Sequence, residues 1–419
     1  MVSALVGAAI FRYSWWGLSL LLMFAVVSSN GKIYCTKKMF AVLCAVFVFV
    51  IILNRAFRHS DYITTIRWLY CFLFCFLAAG LSGCWEKVIL YLVSIGFVHA
   101  IATNLFWLVP SLYSNMDRLW GYWPSGTDYG NDGYKAGLAN HYSRNGIVLA
   151  VTYLALFAII FADKMTKENE PSAHKKRNLR RYAVMFLITF WAVVLTTKRA
   201  HLLFGMIAMI TVYYFSQPQK MGTRTFKLVI GGLVCGIALS AAAEYVPVIG
   251  AVFDRFSSID DDTSMLSRFS FWRLAISMFL QNPLLGQGWF AFRYQYRRYL
   301  YDPTVRSERY TLLDSHNVYF QLLAETGIVG FIIYVTIVIY ILANTFYMIR
   351  KHIDVLKKNN MSMPLFFSAC MQIFFLLYSF TGNCLYDITS AFYFLAAAIT
   401  LSCKSIVKRS LKNNGDYHI

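Results

Sequence analysis

Charged residues are scarce in this chain, and their scarcity argues against an ordinary soluble fold. Only 14% of the 419 residues are charged and 58% are hydrophobic, whereas soluble domains have about 25% charged and about 45–50% apolar residues. The apolar residues fall in runs long enough for membrane helices, which need about 20 residues to cross about 30 Å of hydrocarbon. Short alternating segments, typical of membrane barrels, are absent. The sequence therefore predicts an all-α polytopic membrane protein.

Signatures of several other protein classes are also missing. The nine cysteines form no CxxC pair and no Cys/His cluster with zinc spacing, and most of them lie in apolar runs, where cysteine behaves as a small hydrophobic residue. No internal repeat indicates an inverted-repeat transporter, and we expect no cleavable signal peptide. The functional residues should therefore lie in the polar connections between spans.

The apolar runs predict eleven membrane spans, or twelve if the first is a broken helix. They lie at residues 4–27, 39–53, 66–82, 87–109, 144–162, 182–197, 200–215, 228–247, 318–349, 363–380 and 388–403. Lysine and arginine concentrate in alternate connections, beginning with 28–38, as the positive-inside rule predicts for cytoplasmic loops. The net charge of +19 is therefore mainly a topology signal, and no nucleic-acid partner is predicted.

Three parts follow from this topology. N-terminal transmembrane helices occupy 1–247, an extracytoplasmic loop, which contains candidate catalytic residues, occupies 248–317, and C-terminal helices with a basic cytoplasmic tail occupy 318–419. The loop contains eight arginines and no lysine. Arginine binds phosphate and carboxylate through two parallel hydrogen bonds and stays charged near lipid. This composition indicates an anionic ligand at the outer face; ordinary surface arginine is the alternative.

Two candidate clusters lie on the predicted outer side, one in a turn between spans and one within the loop. Arg199 follows Lys198 in a tight turn between two spans, where a cation is either an interfacial anchor or functional. Arg268 precedes Trp272 by one turn of an amphipathic segment, so the two side chains share a face. We expect this segment to lie on the membrane surface. Its apolar positions are Trp272, Ile276, Phe279 and Leu280.

Two further clusters flank the end of the loop. Residues 282–289 read NPLLGQGW; proline and glycine end a helix and allow a tight turn, but the Lys and Ser/Thr of a nucleotide-binding loop are missing. His316 and Asn317 precede the span at 318–349. Histidine is the usual general base, and Asn317 is predicted to bind a sugar or to orient the imidazole. The aspartates at 260–262 form either a metal motif or an exposed acidic loop, and we predict no metal.

These motifs resemble the O-antigen ligase and Wzy-type polymerase superfamily of bacterial surface polysaccharide assembly. The resemblance rests on NPLLGQG at 282–288 followed by SHNVYFQLLAETGIVG at 315–330. The turn at 197–200 and the spacing from Arg268 to Trp272 also match, so the specific similarity extends over about 196–331. Lys198 is a departure, because a small or polar residue is expected there.

The resemblance implies a GT-C-like, metal-independent and cofactor-free inverting glycosyltransferase in the bacterial inner (plasma) membrane, with its active face outside. The donor would be a glycan on undecaprenyl pyrophosphate, and the acceptor a hydroxyl of a glycan or lipid-linked molecule, with membrane lipid as a further partner. Arg199 and Arg268 would bind the pyrophosphate, and His316 would deprotonate the acceptor. Further predicted substrate contacts are Asn317, Arg273, Glu325 and Tyr319.

The shared motifs leave the acceptor open. A ligase uses lipid A-core and a polymerase uses another repeat unit, and we slightly favour the polymerase. The loop at 110–143 is expected to contribute to the acceptor site; its aromatic residues either stack on sugars or form an interfacial belt. A transporter or flippase for the same lipid-linked glycan is the alternative, but it would need charged residues along a path through the spans. A scaffold without activity is the third possibility.

Overall fold

The computed structural model describes residues 83–120, 130–139, 141–165, 173–216, 223, 263–293 and 314–413. The predicted spans at 4–27, 39–53, 66–82 and 228–247, and the aspartates at 260–262, lie outside these residues. The described part of the chain forms ten α-helices: α1 (Trp85–Leu108), α2 (Pro110–Trp120), α3 (Tyr142–Met165), α4 (Ala173–Leu195), α5 (Arg199–Ser216), α6 (Thr263–Gln281), α7 (Val318–Lys351), α8 (Ile353–Lys358), α9 (Ser362–Tyr378) and α10 (Thr389–Asn413). Two short 3-10 helices, Gly130–Lys135 and Gly137–Ala139, precede α3.

Six of these helices, α1, α3, α4, α5, α7 and α10, are long and apolar enough to cross a membrane. The apolar helix α9 is shorter, with 17 residues. Every predicted span that falls on described residues forms a helix, because a helix pairs all of its backbone polar groups within one segment. The chain is an all-α polytopic membrane protein, as its composition predicted.

The helix α9 lies at the centre of the bundle, where it packs against α3, α5 and α10. Its neighbours α3 and α10 are also central, since 83% of the apolar stretch of each is buried, whereas 22% is buried in α4 and α5. The exposed apolar faces of α4 and α5 are therefore available to lipid. This arrangement brings the turn between α4 and α5 to the same end of the bundle as the C-terminal end of α9.

A buried polar cluster fastens three of the central helices together. Gln372 Nε2 of α9 donates hydrogen bonds to Thr345 Oγ1 of α7 at 2.9 Å and to Thr400 Oγ1 of α10 at 3.1 Å. Ser368 Oγ donates to the carbonyl of Ala396 at 2.6 Å. Polar side chains surrounded by apolar ones find their partners on neighbouring helices, so these bonds fix the helix register.

The helix α6 packs against α7 and is apolar on two faces. Its buried side chains are Phe271, Leu274, Ala275 and Met278. By contrast, Ile276 is 41% exposed and Leu280 is 68% exposed. The sequence predicted this helix and one of its apolar faces. It did not predict the second, buried face, because the sequence does not show which of two apolar faces packs against another helix. Its place on the membrane surface stays a prediction.

The helix α7 is broken at Gly327, which has φ 64° and ψ −170°. The backbone groups freed by this break bond to the turn that follows α6. Gln287 N–H donates to Ala324 O at 2.8 Å, Gly288 N–H to Glu325 O at 3.0 Å, Ile328 N–H to Pro283 O at 2.8 Å and Val329 N–H to Leu284 O at 3.3 Å. We call residues 283–288 and 324–329 the clasp. The two most family-like sequence motifs are thus the two halves of one structural unit.

The clasp requires glycine at two positions because the two backbones touch. A Cβ on Gly286, which has φ +72°, would lie 2.4 Å from the carbonyl of Glu325, and a Cβ on Gly327 would lie 2.3 Å from the oxygen of Leu284. Both distances are far below van der Waals contact, and both glycines have the left-handed backbone that side chains disfavour. The close approach explains the motif and anchors α6 beside the start of α7.

Candidate active site

The candidate base, His316, lies in the short connection that leads into α7. Its backbone has φ +55°, and Thr197, in the turn before α5, has φ +53°. Left-handed backbone is uncommon outside glycine, although asparagine, aspartate and histidine are enriched in it, and it persists where the surroundings hold it in place. Phe290 and Asn360 are the other non-glycine residues with such a backbone in the described ranges; His316 and Thr197 are the two that lie at the candidate site, one being the candidate base and the other directly preceding Lys198.

Asn317 holds the start of α7 in place. Its Oδ1 accepts hydrogen bonds from the backbone N–H groups of Tyr319 at 3.0 Å and Phe320 at 3.1 Å, as an N-cap residue does. Its Nδ2 donates to the carbonyl of Phe380 at 3.2 Å. These bonds give the amide a structural role in the described structure, and none of them is to the imidazole of His316. The predicted sugar contact stays a prediction.

Tyr319, like Asn317, holds the start of α7 in place through contacts with the end of α9 and the residues that follow it. Its hydroxyl donates to the carbonyl of Leu376 at 2.9 Å, and its ring lies 4.7 Å from that of Phe380. The backbone N–H of Val318 also donates to Ser379 O at 2.9 Å. Together with the Asn317 cap, these contacts dock the start of α7 on the end of α9. They fix the position of His316 by holding the residues that follow it.

The charges of two cations from distant parts of the sequence act on His316. Burial, the positive charge of Arg268 and that of Lys198 lower the pKa of His316 to about 4, and Asp314 partly opposes them. Arg268 is carried by α6, and Lys198 by the turn before α5. His316 is therefore neutral at pH 7 and has a ring nitrogen able to accept a proton. The structure brings together the predicted pair of His316 and Arg268 and adds Lys198, which the sequence had marked only as a departure.

The other two predicted arginines have different environments. Arg199 is the first residue of α5 and is half-buried, whereas Arg273 is exposed on α6. Five residues separate Arg273 from Arg268, which is about 140° around a helix. Arg268 and Arg273 therefore do not share a helix face, and the substrate-binding roles of Arg199 and Arg273 stay predictions.

Glu325 lies in a buried hydrogen-bond network behind the start of α7. It is 0% exposed. Its Oε2 accepts from the hydroxyl of Tyr386 at 2.8 Å, and its Oε1 accepts from Gln321 Nε2 at 3.1 Å and from the N–H of Phe292 at 3.3 Å. A buried carboxyl needs such partners. The network gives Glu325 a structural role, and substrate contact stays a prediction.

One arginine of the arginine-rich loop binds a carboxylate of the protein itself. Arg293 donates two hydrogen bonds to Asp314, with Nε at 2.7 Å from Oδ1 and Nη2 on Oδ2. Gln321 Nε2 also donates to Asp314 Oδ1 at 3.1 Å, which links this ion pair to the Glu325 network. The pair closes the two ends of 294–313, a segment outside the described residues. The arginine-rich composition of the loop indicated an anionic ligand, but the anionic partner of Arg293 is Asp314 of the protein itself.

Asp387 is a polar site residue that sequence reasoning missed. Burial raises its pKa to about 6, while hydrogen bonds from Thr389 and the charge of Arg144 lower it. Its Oδ1 accepts from the N–H of Thr389 at 2.7 Å, at the start of α10. An aspartate just before an apolar helix is a capping signal, but nothing in the sequence indicates that this cap is buried.

Within the described ranges, no group of three or more His, Cys, Asp or Glu side chains is arranged to hold a metal ion. The chemistry that the arrangement supports is recognition of an anion by Lys and Arg beside a neutral histidine. Residues 184–335 of the chain match the family described as O-antigen ligase. The resemblance drawn from the sequence is confirmed. No curated protein matches the chain significantly.

The O-antigen ligase region covers about a third of the chain. It extends from the second half of α4 to the middle of α7, and it includes Lys198, Arg268, the clasp and His316. The chain is therefore a membrane enzyme of surface polysaccharide assembly. The family match and the charged cluster around His316 fall on the same part of the structure.

Proposed function

We propose that this protein transfers a glycan from an undecaprenyl pyrophosphate carrier to an acceptor hydroxyl at the extracytoplasmic face of the plasma membrane. The observation that supports this most directly is a neutral, half-buried histidine beside two cations within the O-antigen ligase region. A diphosphate leaving group needs positive charge, and a hydroxyl nucleophile needs a base. The site offers both.

In the proposed reaction, His316 accepts the proton of the acceptor hydroxyl while the hydroxyl oxygen attacks the anomeric carbon. The bond between that carbon and the pyrophosphate oxygen breaks, and the electron pair leaves with the lipid diphosphate. Direct attack inverts the anomeric centre. Arg199 and Arg268 stabilise the charge of the leaving diphosphate. No step requires a metal or cofactor.

The low pKa of His316 in the free protein fits this sequence of events. Burial, Arg268 and Lys198 keep the imidazole unprotonated before the donor arrives. A bound diphosphate brings negative charge that offsets these cations and makes protonation of the ring more favourable. Donor binding therefore strengthens the base when the acceptor has to be deprotonated.

The test is the length of glycan on the lipid carrier in a deletion strain that expresses wild type, His316→Ala or His352→Ala. His352 is the matched control because it lies at the opposite end of α7. Single repeats that accumulate on the carrier with His316→Ala, and long chains with the other two, indicate a polymerase. Long carrier-linked chains that do not reach their acceptor indicate a ligase. Full complementation by His316→Ala, at equal protein level, refutes the proposed base and favours a flippase or scaffold.

A further inference from the structure

Lys198 occupies a position that is electrostatically unfavourable for a cation. Its carbonyl accepts hydrogen bonds from the N–H groups of His201 at 3.1 Å and Leu202 at 3.2 Å, so it stands directly at the N-terminus of α5. The next residue, Arg199, is also cationic. Helix N-termini carry partial positive charge and favour anions. Two adjacent cations here are stabilised when an anion binds between them.

An aromatic ring holds the ammonium of Lys198 in place. Its Nζ lies 3.9 Å from the centroid of the Tyr142 ring, at the start of α3. A ring face attracts a cation without cancelling its charge, unlike a carboxylate. The left-handed backbone of Thr197, with φ +53°, directs the chain into this position. The contact with Tyr142 thus positions the ammonium without itself neutralising its charge.

The histidines nearby remain neutral, so the positive charge at the site belongs to lysine and arginine. Burial, Arg144 and Lys198 lower the pKa of His141 to about 4, as burial, Arg268 and Lys198 do for His316. The Nδ1 of His141 accepts from the N–H of Ser143 at 3.1 Å. Its proton is therefore on Nε2, which is a hydrogen-bond donor.

A buried histidine one turn beyond Lys198 also indicates a ligand. His201 is 1% exposed, and neither of its ring nitrogens has a hydrogen-bond partner among the described residues. Residues three apart on a helix share a face. A buried polar group without a partner is rare and needs an explanation. A ligand or ordered solvent beside Lys198 provides one.

We propose that Lys198 is a third cation for the diphosphate of the isoprenoid donor, beside Arg199 and Arg268. The inference rests on the proposed function and extends it. Lysine acts on phosphate as a point charge, whereas arginine binds it in two-pronged fashion. The residue that departs from the family pattern would therefore add diphosphate affinity in this particular chain.

The experiment measures the affinity of farnesyl pyrophosphate, farnesyl monophosphate and farnesol for the full-length protein in nanodiscs. The variants are Lys198→Met, Lys198→Gln and Lys198→Arg. Lys404→Met is the control, since Lys404 also lies over a tyrosine ring, with Nζ 4.9 Å from the centroid of Tyr340. Melting temperatures show whether each variant is folded.

We expect Lys198→Met and Lys198→Gln to bind farnesyl pyrophosphate about tenfold more weakly, the loss of one charge-assisted hydrogen bond. Lys198→Arg should stay near wild type, Lys404→Met should be unchanged, and farnesol binding should not respond. Unchanged affinity in folded Lys198→Met and Lys198→Gln overturns the inference alone. Wild-type protein that does not prefer farnesyl pyrophosphate to farnesol overturns the proposed function as well.

Discussion

The clasp gives the most direct test of how the O-antigen ligase motifs work. Gly327→Ala places a Cβ 2.3 Å from Leu284 O and 2.4 Å from Leu284 C, so the two backbones must separate by about 1 Å to reach van der Waals contact. Four hydrogen bonds of 2.8–3.3 Å cross this contact. A separation of that size takes them beyond hydrogen-bonding distance.

The expected loss has two parts. An alanine in the backbone conformation of Gly327 costs about 1–3 kcal/mol, and each lost hydrogen bond costs about 1 kcal/mol. Their sum is about 5–7 kcal/mol if all four bonds break, which is a large part of the stability of a typical domain. We therefore expect a large fall in melting temperature and loss of glycan transfer, because α6 and Arg268 lose their anchor.

The assay is thermal loss of the monodisperse gel-filtration peak in detergent. Gly83→Ala is the matched control, because Gly83 has φ +82° but no atom within 4 Å of the place where a Cβ would lie. The Gly83→Ala variant carries the cost of a left-handed alanine without a steric clash, so its difference from Gly327→Ala measures the effect of the clash. Gly286→Ala should behave like Gly327→Ala. Equal melting temperatures for Gly83→Ala and Gly327→Ala would refute the claim that the close backbone contact holds the clasp together.

Three further predictions concern the site. The acid limb of kcat/KM should lie near pH 4, since His316 is a base only above its pKa, and Lys198→Met should move the limb upward. His141, with a pKa of about 4, and Asp387, with a pKa of about 6, also titrate in this range, so His141→Gln and Asp387→Asn are the controls. A limb at about 6.5, the ordinary pKa of histidine, in wild type contradicts the assignment. Arg293→Gln should make 294–313 more sensitive to limited proteolysis than Arg293→Lys, because the glutamine leaves Asp314 without its ion-pair partner; equal cleavage rates would contradict this. Asn317→Ala should lower the free energy of unfolding, measured by denaturant titration, by about 0.5–2 kcal/mol. Asn317→Ser should recover most of this loss, and equal stabilities of Asn317→Ala and wild type would contradict the role of the cap.

Features that depend on neighbouring residues were predictable from the sequence. The length of each apolar run decides whether a helix can cross the membrane, and the described runs at 87–109 and 144–162 do form α1 and α3. The types of residue that carry the candidate chemistry were also visible, because a histidine between polar neighbours at a span end is unusual. His316 was selected in this way and Arg268 from its position one turn before Trp272, and in the structure the charge of Arg268 acts on His316.

Long-range partners decided the rest. Asn317, Tyr319 and Glu325 are predicted substrate contacts, a prediction that stays open. The sequence did not show that they also form hydrogen bonds with Phe380, Leu376 and Tyr386, which are about 60 residues away. A polar side chain has the same sequence signature whether it binds a substrate or a distant carbonyl. Only the tertiary structure shows which of these side chains form hydrogen bonds within the protein.

The sequence by itself determined that this chain is a bundle of membrane helices with a region similar to the O-antigen ligase family, because run length, charge asymmetry and the two glycine motifs are local. The tertiary structure decided that those motifs clasp each other, that α6 has a buried face, and that Lys198 joins His316. Each of these depends on which surfaces meet when helices pack. That is a property of the whole bundle, and no single segment carries it.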